Sequence, residues 1–182
     1  MNRIQALSVL AGVCTLTLAT QAFASDGTIN FTGSLTASTC KINGNSAGTA
    51  TAVNVTLPTL AASALANAGS SAGVTPFALS LTGCTGTTAQ TQFEVGPTVD
   101  ATTGNLVNQS TESSKSNVQV QILNNQMQAI NLYTNQNSQS TTLTGDESAT
   151  SGTLQYYAQY YAPAKATPGA ISTSVTFSML YN

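Results

Sequence analysis

Alternation of apolar and polar residues is the clearest pattern in the chain, and it predicts β-strands. In residues 28–35 (TINFTGSL) the apolar positions and one glycine fall on one side, and hydroxyl and amide residues fall on the other. A period of two places such a set on one face of an extended strand. Shorter candidate strands lie at residues 53–57, 77–84, 91–95, 118–122 and 154–161. The most regular run, residues 171–181, predicts a long half-buried strand that reaches the C-terminus.

The segments between these runs are rich in turn-forming residues. Residues 61–73 are Ala-, Ser- and Gly-rich, which leaves a frayed helix or a loop open, and Gly69 and Gly73 favour the loop. Residues 105–117 and 134–153 are polar and predict connections. Short strands separated by Gly/Pro turns indicate one all-β domain, a β-sandwich.

Composition narrows the function further. The 182 residues include 4 Lys+Arg, 6 Asp+Glu and no His, so 5% are charged, against about 25% in an average soluble protein. A surface so poor in Lys and Arg cannot neutralise a phosphate backbone, which argues against nucleic acid as a partner. Without His, the usual zinc, Ser–His and Cys–His hydrolases are excluded. We therefore expect neither an enzyme nor a cofactor.

Residues 1–24 are typical of a secretory signal peptide. Arg3 supplies the positive start, residues 6–19 the apolar run, and Ala22-Phe23-Ala24 the small-x-small cleavage site. The apolar run is shorter than the 20 or so residues that a transmembrane helix needs, so the mature chain is expected not to be membrane-embedded. A lipoprotein signal at Cys14 is the alternative, but Val13 stands where that signal requires a small residue.

Export changes the interpretation of the cysteines. Cleavage after Ala24 leaves Cys40 and Cys84, and two cysteines in an oxidising compartment predict one disulfide bond. Two free or metal-binding thiols are the alternative, although no His or second Cys pair accompanies them.

Three motifs suggest other functions weakly. Ser38 and Lys41 match the S-x-x-K pattern of certain acyl-transfer enzymes, but the supporting S-D-N and K-T-G motifs are absent. Asp146 and Glu147 are adjacent, so a solvated turn is favoured over an acid/base pair. Asn108 begins a glycosylation triplet, as Asn54 does, yet short triplets arise by chance.

Four tyrosines lie close together at residues 156–161. They could form a sugar-binding platform, but a strand with half of its aromatic residues in the core is favoured.

Five segments, taken in order, are informative together: GTINFTG (27–33), FALSLTGC (77–84), NVQVQI (117–122), YYAQYY (156–161) and GAISTSVTFSMLYN (169–182). In this order and spacing they resemble the major-type pilin subunits of the chaperone–usher family, similar to type 1 fimbrial shaft subunits. Gly169, fourteenth from the end, and the penultimate Tyr181 match the family's terminal recognition motif. The resemblance covers essentially the whole mature chain.

The resemblance implies an incomplete immunoglobulin-like β-sandwich that lacks its last strand and carries an N-terminal donor-strand arm. Residues 25–36 would be the arm and residues 37–182 the pilin domain. An open groove with unpaired backbone would be filled first by a periplasmic chaperone. At the outer-membrane usher, the arm of the neighbouring pilin subunit would then replace the chaperone strand, which is recognition by β-strand addition.

The resemblance also implies roles for individual residues. In the donor strand, Ile29, Phe31 and Leu35 would fill groove pockets and Gly33 would suit a shallow position. The arm is short, with only Ser25 and Asp26 before Gly27, so the residue that reaches the end of the groove stays open. Acceptor and recognition residues in the final segment would be Gly169, Val175, Phe177, Met179, Tyr181 and Asn182, the last through its carboxylate.

The expected function is therefore a structural, non-catalytic subunit of a surface fimbria that supports cell adhesion or biofilm. The subunit would be exported to the periplasm and then displayed outside the cell. The alternative is a self-complete secreted β-sandwich that binds a ligand, for example a carbohydrate, by itself. A tip adhesin would need a second lectin domain, for which the mature chain has no room.

Overall fold

The structure is a computed structural model and describes residues 29–33, 35, 40–46, 49–146 and 149–182. The predicted signal peptide, residues 25–28, 34 and 36 of the predicted arm, and residues 37–39 lie outside the described residues. The chain divides into two units, Met1–Leu35 and Thr36–Asn182. In the first, the described residues Ile29, Phe31 and Leu35 are each at least 80% exposed.

The second unit is an all-β sandwich of two antiparallel sheets. Its strands are β1 Lys41–Ile42, β2 Ser71–Cys84, β3 Thr88–Phe93, β4 Gln119–Leu123, β5 Ser140–Thr142, β6 Thr150–Tyr161 and β7 Phe177–Tyr181. The larger sheet has the order β1-β2-β6-β4, and the smaller one has the order β5-β3-β7. A 3₁₀ helix at Ala62–Leu65 is the one helical element in the described part of the chain.

The core lies between the two sheets and is built from the inward positions of the alternating strands. Tyr156 of β6 lies at its centre and is fully buried. The Tyr156 ring stacks on Phe77 at a centroid distance of 5.5 Å and meets Phe93 of the opposite sheet edge-on at 5.7 Å. Burial raises the pKa of the Tyr156 hydroxyl. Of the four clustered tyrosines, only Tyr156 is wholly in the core, and the other three are half-buried.

The disulfide prediction is confirmed. Cys40 and Cys84 are bonded, and both are buried. The alternative of two free or metal-binding thiols is thereby excluded. The bond closes a loop of 44 residues and ties the start of the body to the end of β2. None of the described helical segments is long and apolar enough to cross a membrane.

Several boundaries differ from those expected. The segment 61–73 is not a loop throughout, because it contains the 3₁₀ helix and the first residues of β2, where Ser71 pairs with Tyr161. The polar stretch 134–153 contains β5 and the start of β6. In both cases a neighbouring strand imposed pairing on residues whose own pattern was weak. The expected strand at 171–181 is paired as a strand only from Phe177.

Candidate functional site: an open groove between two extended segments

A groove of about 680 Å³ opens on the second unit, between residues 51–57 and residues 171–177. Both segments are extended and alternate between half-buried and exposed residues. On the first, Val53, Val55 and Leu57 turn inward and pack against the core. On the second, Ile171 and Val175 do the same. These two segments form the walls of the groove.

The wall at 171–177 continues directly into β7, and its hydrogen bonds show which way its backbone points. Asn182 and Thr88 exchange backbone hydrogen bonds, and Glu94 N–H donates to the Thr176 carbonyl at 2.9 Å. The even-numbered residues therefore bond to β3. In an antiparallel ladder the intervening residues point their N–H and C=O groups to the opposite side. Thr173 and Val175 accordingly present their backbone groups to the groove.

Those backbone groups find no partner strand in the part of the chain that the structure describes. β7 is the last strand of its sheet, and no backbone hydrogen bond joins it to the other wall. Residues 52–58 likewise make no backbone–backbone hydrogen bond to any described residue. The Thr173 hydroxyl is also buried without a hydrogen-bond partner. Unpaired buried polar groups are costly, so the two walls are suited to receive one more strand.

The floor of the groove is the core itself. Side chains from both sheets line it, and all of them are apolar apart from the Tyr160 hydroxyl. They are Phe77, Leu79, Phe93, Leu106, Val120, Ile122, Ala158 and Tyr160. Among the described residues that line the groove, none is charged. A strand with alternating apolar side chains would complete this core while pairing with both walls.

The residues predicted for the acceptor face fall at different places. Val175 and Phe177 line the groove. Met179 lies further along β7 and packs against the core, where its sulfur accepts a hydrogen bond from the Thr91 hydroxyl at 3.6 Å. Tyr181 pairs with Ala89 and also packs against the core.

The C-terminal carboxylate is held by the turn before β3. One Asn182 oxygen accepts hydrogen bonds from the backbone N–H groups of Thr87 and Thr88, at 2.7 and 2.9 Å, and from the Thr87 hydroxyl at 3.1 Å. Three donors thus fix the end of β7 against its neighbour, at the far end from Gly169.

Asn108 anchors the start of the second wall, and all four hydrogen-bonding positions of its amide are used. Its Nδ2 donates to the carbonyls of Ser116 and Ala170, at 2.7 and 2.8 Å. Its Oδ1 accepts from the N–H groups of Ser110 and Ser172, at 2.9 and 3.0 Å. This amide is therefore a structural anchor, and its engagement argues against glycosylation at this triplet.

The alternation predicts a strand at residues 53–57; in the structure this segment is extended but is not paired as a strand, and its role as a wall of the site was not predicted. The sequence pattern also predicts neither the residues of the groove floor nor the anchoring role of Asn108. In a sequence, the apolar residues of the floor cannot be told from other core residues, and the partners of Asn108 are up to 64 residues away. The triplet beginning at Asn108 was visible, but it suggested a different role.

The weak motifs gain no support from the described residues. Cys40, inside the S-x-x-K match, is in the disulfide, whereas Ser38 and Glu147 lie outside the described residues. No group of three or more Cys, Asp or Glu among the described residues is placed to hold a metal ion.

Comparison with known proteins agrees with this architecture. The family of type-1 fimbrial proteins, A (FimA), matches residues 57–182. The major fimbrial subunit SMF-1 of Stenotrophomonas maltophilia is 46% identical over 87% of this chain and 94% of its own length. The F17 fimbrial protein of Escherichia coli is 35% identical over 98% and 99%. The crystal structure of the P pilus rod subunit PapA aligns with a TM-score of 0.56, 18% identity, and coverage of 79% and 99%.

A sandwich of this kind, with one open sheet edge beside an apolar groove, defines an incomplete immunoglobulin-like domain of the pilin type. The chain belongs to the type-1 fimbrial protein family and is a fimbrial subunit of the chaperone–usher class.

Proposed function

We propose that this subunit polymerises into a surface fimbria by donating residues 25–35 to the groove of the next copy and accepting the same segment from another. The groove carries the proposal, because it combines an apolar floor with two walls whose groove-facing backbone groups have no strand partner among the described residues. The proposed donor has the matching pattern, with Ile29, Phe31 and Leu35 on one face. Burial of each of these side chains stabilises the complex by about 1.5–3 kcal/mol.

The need for a chaperone follows from the same groove. An exposed apolar cleft beside an unpaired sheet edge is a site of aggregation, so a periplasmic chaperone is proposed to occupy it until the subunit reaches an outer-membrane usher. The Asn182 carboxylate and Tyr181, at the end of the wall strand, are the proposed recognition points. A carboxylate pairs well with basic chaperone side chains through charge-assisted hydrogen bonds.

Head-to-tail donation explains why the product is a fibre. The donating arm and the accepting groove are different surfaces, and such heterologous contacts build an open filament when they do not close into a ring. Replacing the chaperone strand by the neighbour's arm requires no cofactor and no bond chemistry, so the proposed role is structural. Attachment of the cell to surfaces or to other cells is the proposed use of the fibre.

The alternative, a self-complete secreted sandwich, is not favoured by any described feature. It would require an intrinsic strand to pair with the groove-facing backbone groups of Thr173 and Val175, and none of the described residues supplies one.

Strand complementation tests the proposal directly. The mature chain, residues 25–182, is prepared with Phe31→Asp so that its own arm is a poor donor, and its melting is followed with a peptide of residues 25–35. We expect a large rise in melting temperature with the native peptide. The same peptide carrying Phe31→Asp is the matched control and should give almost none. A chain equally stable with and without the native peptide would exclude strand donation.

A further inference from the structure

A small apolar patch lies on the surface beside one end of the groove. It consists of Pro58, Leu60, Gly73 and Val74, and Leu60 and Val74 are 39% and 45% exposed. These residues are close-packed, because a Cβ atom on Gly73 would stand 3.1 Å from Leu60 Cδ1 and 3.3 Å from Pro58 Cγ. It would also stand 3.2 Å from Tyr160 Cδ2. The patch is called the Leu60 patch below.

Tyr160 shows which end of the groove the Leu60 patch adjoins. Its ring lines the groove together with Leu57 and Ile171. Tyr160 and Ile171 also pack on the same small apolar cluster, around Leu65. The patch is therefore next to the Ile171 end of the groove. Phe177, which pairs with Phe93 of β3, lies at the opposite end of the groove.

The orientation of a donated strand determines which part of the donor reaches the patch; this step rests on the proposed function. Every strand pairing in the two described sheets is antiparallel, and antiparallel pairs are slightly more stable per residue than parallel ones. A strand that pairs with β7 in the same sense runs against it, and it then runs parallel to the other wall, since residues 51–57 and 171–177 run in opposite directions. The C-terminal residue of the donor strand, Leu35, then lies at the Ile171 end, and Ile29 lies at the Phe177 end.

In the donating copy, the pilin domain must lie close to the C-terminal end of the donor strand. Cys40 comes five residues after Leu35, and five residues span at most about 17 Å even when fully extended. Cys40 is buried in the donor's core through its disulfide. The surface around Cys40 of the donating copy is therefore held within reach of the acceptor's Leu60 patch.

We propose that the Leu60 patch is a subunit–subunit contact, occupied by the body of the donating copy of this chain. The contact adds to strand donation and is separate from it. The contact determines the orientation of one subunit relative to the next, whereas strand donation into the groove is what links the two subunits.

Two measurements on the full mature chain separate the contact from the groove. Affinity for the 25–35 peptide is measured in the Phe31→Asp background, where only the groove is tested. Resistance of assembled fibres to dissociation in guanidinium is measured with the native arm, where groove and body contact both act. The variants are Leu60→Asp/Val74→Asp and the milder Leu60→Gln/Val74→Thr. Val95→Asp is the matched control, since Val95 is 54% exposed and lies near the opposite end of the groove.

Both double variants should bind the peptide within about twofold of the native affinity, because the substituted side chains lie outside the groove lining. Fibres of the Asp double variant should dissociate at least about tenfold faster, those of the Gln/Thr variant less so, and those of Val95→Asp at the native rate. Fibres of native stability in both double variants would overturn the contact. A loss of fibre stability confined to Val95→Asp would also overturn the contact, because it would indicate the opposite orientation of the donor strand. A loss of peptide affinity in the double variants that parallels their loss of fibre stability would overturn it as well. A chain that binds no peptide in any background would instead overturn strand donation itself.

Discussion

Gly169 lies against the backbone of Ser114 so closely that a Cβ atom at residue 169 would overlap the Ser114 carbonyl oxygen. Two backbone hydrogen bonds of the next residue, Ala170, join the two segments beside this contact. Ala170 N–H donates to the Ser114 carbonyl at 3.0 Å, and Ser116 N–H donates to the Ala170 carbonyl at 3.1 Å. Gly169 is therefore needed for packing at the start of the wall at residues 171–177, independently of any role in recognition by a partner.

Replacing Gly169 with Ala should lower the free energy of unfolding by about 2 kcal/mol or more, because the added methyl group can be accommodated only by separating the two backbones. Urea denaturation of the oxidised mature chain measures the change. Gly96→Ala is the matched control, since no atom lies within 4 Å of the position of its Cβ, and it should change stability by less than about 0.5 kcal/mol. Equal effects of the two substitutions would contradict the packing argument.

Asn108→Ala should destabilise the fold by about 2 kcal/mol, because it leaves the Ser116 carbonyl and the N–H groups of Ser110 and Ser172 without these partners and removes one of the two hydrogen bonds to the Ala170 carbonyl. Asn108→Asp keeps the acceptor but loses both donated bonds, so it should also destabilise. Urea unfolding again reports the change. Asn67→Ala, at an exposed side chain, should be neutral, and an Asn108→Ala chain as stable as this control would refute the anchor.

Removing the disulfide with Cys40→Ser/Cys84→Ser should cost about 4 kcal/mol of unfolding free energy, since the bond closes a 44-residue loop in the unfolded chain. The same loss is expected when the native chain is unfolded in dithiothreitol. Denaturant midpoints of the oxidised, reduced and Ser forms provide the comparison. If the reduced and oxidised forms had the same denaturant midpoint, the hydrophobic core alone would be enough to stabilise the fold.

Asp100 should make a small contribution to acid stability. Hydrogen bonds from the N–H groups of Thr102 and Thr103, and from Gln119, hold the pKa of its carboxyl below the usual 3.8. A carboxyl whose pKa is depressed by folding stabilises the folded state above its unfolded pKa, and this contribution is lost as the pH falls through the folded value. Unfolding free energy measured between pH 6 and pH 2 should therefore fall less steeply below about pH 4 in Asp100→Asn than in the native chain. Identical slopes would exclude the contribution.

Salt should hardly affect binding of the 25–35 peptide. None of the described residues that line the groove is charged, and Asp26 is the only charged side chain in the peptide. Screening acts on charge pairs and leaves apolar burial and backbone pairing largely unchanged. The dissociation constant at 50 mM and 500 mM NaCl should agree within about twofold, and a tenfold weakening at the higher salt would reveal an ionic contribution from elsewhere.

The all-β class, the single disulfide and most strands were predictable because each depends on a local pattern. Leu154–Tyr161 and Phe77–Cys84 alternate strongly and became β6 and β2. By contrast, β5 at Ser140–Thr142 is a short polar segment that is a strand only because Thr88–Gln90 pair with it. The anchoring role of Asn108 is not evident from the sequence, since two of its four hydrogen-bond partners, Ala170 and Ser172, are 62 and 64 residues away.

The alternation of apolar and polar residues, the pair of cysteines predicted to remain after export, and the predominance of hydroxyl and amide groups over charges can all be taken from the sequence. These properties are local or additive, so they do not depend on which segments become neighbours. That residues 53–57 and 171–177 face each other across an apolar gap cannot be taken from the sequence, because it depends on the strand order β1-β2-β6-β4 and β5-β3-β7. Whether the edge of a strand is unpaired depends on where the other segments of the chain lie. The pattern of residues 171–181 could specify an extended strand, but the position of its open side was fixed by the pairing of β7 with β3.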